Sequence, residues 1–154
     1  MILGESTREP CSDISARADR RVSNMLLLAD VMGVTIETMG LPPGLCGLYD
    51  DATRTILLHD RLNQRQTVCT LRHELFHAQH HDTGCGPYRG REERRTRRET
   101  ALALISPAEY AAVERMFDAD PWNMAVELGV TMQVLEDYRM ILTDGGICRG
   151  MEED

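Results

Sequence analysis

The chain has 154 residues, 42% of them hydrophobic and 27% charged, which is the size and balance of a single folded unit with a real core. Its formal net charge of −8 argues against a whole-surface nucleic-acid binder, and no apolar run approaches the ~20 residues that a membrane-spanning helix needs. The opening MILGESTREPCSD lacks a basic stretch followed by an apolar one, so no secretory signal is expected and the cytoplasm is the expected compartment.

The first predicted element is an amphipathic helix that starts at an N-cap, Ser12 or Asp13. It carries Val22, Met25, Leu26, Leu28 and Ala29 on its apolar side and stops at Gly33. A short strand follows in VTIETM and ends at LPPG, whose prolines and glycine break regular structure. Two further β-compatible runs, CGLY and TRTILL, flank Asp50-Asp51-Ala52 and predict a hairpin. Between Thr67 and Asp82, Val68, Leu71, Leu75 and Ala78 recur at spacings of three and four and predict a helix with one buried stripe. Gly84, Gly86, Pro87 and Gly90 mark a loop, and a second helix is expected from Arg91 to about Ile105, before Ser106-Pro107. PAEYAAVERMF reads as a short helix. The section from Pro121 reads as two helical runs joined through Gly129-Val130-Thr131, a helix-turn-helix-like ending.

Five cysteines, Cys11, Cys46, Cys69, Cys85 and Cys148, are odd in number and contain no C-x-x-C pair, so neither a disulfide framework nor a zinc finger is expected. Free buried thiols in a reducing compartment are the plain reading.

Chemistry concentrates in LRHELFHAQHHD, residues 71–82, which contains the H-E-x-x-H pattern as His73, Glu74 and His77. Residues four apart on a helix sit about 40° apart around the axis and about 6 Å apart along it, so both imidazoles can reach one metal ion. Glu74, next to the first histidine, can reach a water on the same open side and is the candidate general base. His73 lies about 160° around the helix from Leu71, so the histidines face away from the buried stripe, as the wall of a cleft would. The bland alternative is a surface helix with solvated histidines, and the opposed apolar stripe weighs against it.

A third ligand has to come from elsewhere. A metzincin would need a glycine three residues and a histidine six residues after His77, where this chain has His80 and Thr83, so that class is excluded. His80 and His81 lie too near on the same helix to close the site and read as polar residues of the helix end. Glu93 shares a helical face with Thr100, Ala101 and Leu104 and is the favoured ligand. Glu92 falls on a more polar face, and Cys85 in the glycine loop stays open as an alternative. Both glutamates would also suit a helix N-terminus without any metal. No oxyanion donor can be named, although Tyr49, Tyr88 and Arg72 lie near the expected cleft walls.

These residues resemble the ImmA/IrrE family of small metallopeptidases. The resemblance is carried by Leu26-Leu27-Leu28-Ala29 with Gly33-Val34, Gly47-Leu48-Tyr49 with Thr55-Ile56-Leu57-Leu58, and Thr70 to Ala78. It continues through Glu92-Glu93-Arg94-Arg95 with Ala101 and Leu104-Ile105, into Ala125 to Thr131. It covers roughly residues 20–142. It implies a gluzincin-like Zn2+ site with His73, His77 and a glutamate of the second helix as ligands, and Glu74 as general base. Family members usually carry a small residue followed by Asn or Asp three to four places after the ligand glutamate, where this chain has Thr96-Arg97. The fold expected is α+β: about three strands packed against the histidine helix and a second ligand-bearing helix, all in one domain. A core over 12–110 would be followed by the helix-turn-helix-like segment over 121–142, with flexible ends at 1–11 and 145–154.

The resemblance further implies a metallo-endopeptidase acting on a protein target, a helix-turn-helix transcriptional repressor, as an antirepressor in a phage, mobile element or stress response. All 17 basic residues are arginine, a bias expected of GC-rich coding such as that of actinobacteria and their phages. Two rivals remain. One is a repressor-binding module that keeps the fold and cuts nothing. The other is a DNA-binding regulator, suggested by AVELGVT and by six arginines between Arg89 and Arg98. Against the second, the last helix offers only Arg139 to a DNA backbone, beside Glu136 and Asp137.

Overall fold

The computed structural model describes residues 10–84 and 89–149. Helix α1 (Pro10–Met32) begins two residues before the expected cap, and buries Ala18, Met25 and Ala29 along one line. It ends where Gly33 takes φ +70° and Val34 N–H reaches back to Ala29 O at 2.9 Å, a left-handed stop that a side chain would strain.

Strands β1 (Thr35–Met39), β2 (Gly47–Asp50) and β3 (Thr55–His59) form one sheet in the order β1-β3-β2. The expected hairpin of β2 and β3 is antiparallel, with Leu48 opposite Leu57, and β1 runs parallel to β3 on its other side. Asp50 shapes the hairpin turn, accepting from Ala52 N–H and Thr53 Oγ1 at 3.0 Å each. Ile56 is fully buried and Leu58 nearly so, which turns one face of the sheet toward α2.

Helix α2 (Gln64–Gln79) starts earlier than its apolar periodicity suggests, because Asn63 and Gln66 form a capping box: Asn63 Oδ1 accepts from Gln66 N–H and Gln66 Oε1 from Asn63 N–H. Val68, Leu71, Leu75 and Ala78 are buried, as the periodicity predicts. Helix α3 (Arg89–Leu104) buries Thr96, Thr100, Ala101 and Leu104. Ser106 caps α4 (Pro107–Met116) through a second capping box, and Asp120 caps α5 (Pro121–Leu128). Gly129 at φ +69° makes the expected joint to α6 (Met132–Arg149), which continues past Leu142, where the sequence reading ends it. Among the described residues, six helices and a three-stranded mixed sheet make the fold α+β, as expected.

Two arginines of α1 tie this frame together. Arg21 donates to Leu104 O at 2.9 Å and Leu128 O at 3.1 Å, satisfying last-turn carbonyls of α3 and α5, and Arg17 donates to Glu127 O. Arg54 joins three more elements, reaching Met32 O, Ala78 O and the Tyr49 hydroxyl.

Candidate metal centre

Helices α2 and α3 pack against each other, and their polar faces meet at His73, His77 and Glu93, which offer donor atoms within 4.8 Å of one another. The Nε2 atoms of the two histidines are 3.1 Å apart, and the Glu93 carboxylate oxygens lie 3.3 Å from each. Ligand bonds of ~2.0–2.1 Å in a tetrahedral site would place neighbouring donors about 3.3 Å apart, so the residues present fit a metal such as zinc. The close Nε2 pair points the same way, because two unprotonated ring nitrogens would face each other lone pair to lone pair unless a cation or proton lay between them.

His77 is held from behind. Its Nδ1–H donates to Asp82 Oδ2 at 2.8 Å, which leaves Nε2 to face the cluster, and the buried Thr96 Oγ1 lies 3.4 Å from Nδ1. Asp82 is itself buried and ion-paired to Arg95 of α3. Burial disfavours the His77 cation, yet the bonds to Glu93 and Asp82 outweigh it and lift the imidazole to about 9. The Glu93 carboxyl is held well below the usual range by hydrogen bonds from His73 and His77. Burial alone would push the Asp82 carboxyl up, but His77 and Arg95 hold it low.

Glu74 is 7% exposed, and desolvation pushes its carboxyl up despite the two histidines and a Tyr49 N–H that donates to it. Strand β2 comes this close because residue 47 is glycine. A Cβ there would sit 2.5 Å from Thr70 Cγ2 and 3.3 Å from Glu74 Cγ. His73, Glu74 and Glu93 line a cleft of about 460 Å³ between β2 and α2 on one side and α3 and α6 on the other. A second cavity of about 290 Å³ on the hairpin side shares these three residues and adds His77, Asp82 and Glu92.

The remaining described candidates fall outside the cluster. Glu92 lines the smaller cavity without joining the donor set, and Cys85 and Tyr88 lie outside the described residues. His80 pairs with Glu99 of α3 at 2.9 Å, and His81 with Asp51 of the hairpin turn at 3.0 Å. The Tyr49 hydroxyl donates to Asp51 at 2.7 Å and accepts from Arg54, so it turns away from the cluster, while Arg72 stacks on Phe76. Asp82 is the functional candidate that sequence reasoning missed. It lies five residues past His77, beyond the helix end, and reaches back because His81 adopts φ +54°.

Among the described residues no helix is long and apolar enough to cross a membrane. No curated protein and no solved structure matches the chain. The Peptidase_M78 family, described as the IrrE N-terminal-like domain, matches residues 29–138, from the end of α1 into α6 and across every ligand candidate; the chain therefore belongs to this ImmA/IrrE metallopeptidase family.

Proposed function

We propose that the protein is a zinc metallo-endopeptidase in which His73, His77 and Glu93 hold the ion and Glu74 is the general base. The observation that carries this reading is the convergence of those three donor sets beside a buried glutamate in an open cleft. Zinc, when bound, would polarise a carbonyl and lower the pKa of a coordinated water toward about 7.

The chain's own residues do the rest. Asp82 accepts from His77 Nδ1–H and so would leave Nε2 to hold the ion. Glu74 accepts the proton of the attacking water at a carboxylate oxygen and delivers it to the leaving peptide nitrogen. Burial, by raising its proton affinity, suits it to both halves of that transfer. Strand β2 is an edge of the sheet. His59 N–H bonds to Cys46 O, so by the antiparallel alternation the backbone groups of Gly47 and Tyr49 point away from β3. The Tyr49 N–H is taken by Glu74, which leaves Gly47 and the Tyr49 carbonyl as the edge a substrate could meet. An extended substrate would lie along that edge, by the main-chain pairing common to peptide-binding clefts. Protection from hydrogen exchange over residues 46–58 on adding peptide would follow.

The family resemblance supports a protein target of the helix-turn-helix repressor class, with the enzyme as antirepressor. The helix-turn-helix-like segment of this chain suits a structural role better than DNA reading. Arg139 is engaged with Tyr110 Oη, Ala119 O and Met124 Sδ, and Asp137 with Arg97. The test is incubation of zinc-loaded protein with a random peptide library, with new termini read by mass spectrometry. Cleavage that a chelator stops and that Glu74→Gln abolishes while keeping its zinc is the expected result. Cleavage at full rate by Glu74→Gln would remove the general-base role, and no cleavage at all would favour a repressor-binding module that cuts nothing.

A further inference from the structure

On a chain of net charge −8, α3 still places six arginines between Arg89 and Arg98. Two are neutralised within the fold, Arg95 by Asp82 and Arg97 by Asp137. Arg94 and Arg98 are different. They are exposed, lie four apart on one side of the helix, and make no ion pair or hydrogen bond with any described residue. Like charges at this spacing repel, a cost that a bound carboxylate would relieve.

Both arginines line a groove of about 270 Å³ between α3 and α6, opposite Met140 and Ile141. Arg97 and Asp137 border this groove and also the cleft that contains His73, Glu74 and Glu93. Their ion pair, with Arg97 Nε 3.1 Å from Asp137 Oδ2, is the sill between the two spaces. A chain leaving the cleft over that sill would run along Arg94 and Arg98.

We propose that this groove receives an acidic stretch of the substrate protein, with an apolar side chain against Met140 and Ile141; the assignment of that stretch to a substrate rests on the peptidase reading. Met140 is 63% exposed and supplies the apolar wall. Duplex DNA is the poorer occupant, because the groove sets its two arginines opposite an apolar wall of Met140 and Ile141, which suits a peptide side chain and offers nothing to a phosphate backbone. Asp144 on the α6 wall confines acidic groups to the Arg94 and Arg98 side.

The test passes a synthetic library of random dodecapeptides over immobilised Glu74→Gln protein and sequences the bound fraction. Peptides pairing an apolar residue with two or more acids should be enriched about fivefold over their amide counterparts, as two exposed charge pairs allow. Arg94→Gln/Arg98→Gln should lose that enrichment while keeping the melting temperature and metal content of the parent. Equal capture of acidic and neutral peptides, enrichment that survives the double variant, or competition by a labelled DNA duplex in place of acidic peptide would overturn the proposal. Metal content measured on the same samples separates the two readings. Acidic capture without stoichiometric metal would sink the peptidase assignment and leave the groove standing as a binding surface, whereas a metal-loaded protein with no acidic preference would do the reverse.

Discussion

Helix α2 carries its histidines on the back of a stripe, Val68, Leu71, Leu75 and Ala78, that is buried almost completely. Helix α3 presents Glu93 from a surface crowded with arginines and buries only Thr96, Thr100, Ala101 and Leu104. The difference is also visible in the three candidate donors. His73 and His77 are mostly covered, whereas the Glu93 side chain is 49% exposed. A packed helix fixes the spacing of the two imidazoles, and a solvated one leaves the carboxylate room to adjust. One helix thus holds its donors in a packed frame, and the other presents its donor from a solvated surface.

Substitutions on the two helices should separate these roles. His77→Ala removes a proposed ligand and its Asp82 brace together, and the purified variant should contain no stoichiometric metal by plasma mass spectrometry. Leu75→Ala leaves a cavity beneath the histidines and should cost ~2–5 kcal/mol in denaturant unfolding, while Leu102→Ala on the exposed side of α3 should stay within about 0.5 kcal/mol. Equal losses at the two positions would erase the distinction between the helices.

Asp82→Ala should weaken metal affinity by about 10–100-fold in a competitive chelator titration, with a smaller effect on folding than Leu75→Ala. The metal-free protein should also respond to pH. His77 is raised from 6.5 to about 9 in the folded state, so the stability it contributes is complete below pH 6.5 and is lost as pH rises through 9. The melting temperature of the metal-free protein should fall across that window. Zinc binding near pH 7.5 should release about one proton, measurable by calorimetry in buffers of different ionisation enthalpy. A flat melting profile and no proton release would contradict the cationic His77.

What the sequence made legible was local. The period of α2, the Gly33 and Gly129 stops, the Ser106-Pro107 break and the β2–β3 hairpin all follow from residues a few places apart, and so does the His73, Glu74 and His77 face. Glu93 was reachable because Thr100, Ala101 and Leu104 mark its side of α3 as inward. The parallel pairing of β1 with β3 was not legible, because a ladder between strands separated by another strand leaves no short-range pattern. The start of α2 was misplaced because apolar periodicity is blind to the capping pair Asn63 and Gln66. Asp82 and the Arg97–Asp137 sill escaped for the same physical reason: a left-handed residue at His81 and the packing of α3 on α6 create contacts that no helical spacing encodes.

The central claim is that α2 and α3 together hold one ion, and the most direct test is the metal content of the purified protein beside His73→Ala and Glu93→Ala. One zinc per chain, lost in both variants while each stays folded, is the predicted result. A folded wild-type protein that takes up no metal, or zinc that persists at full stoichiometry without both His73 and Glu93, would contradict the account.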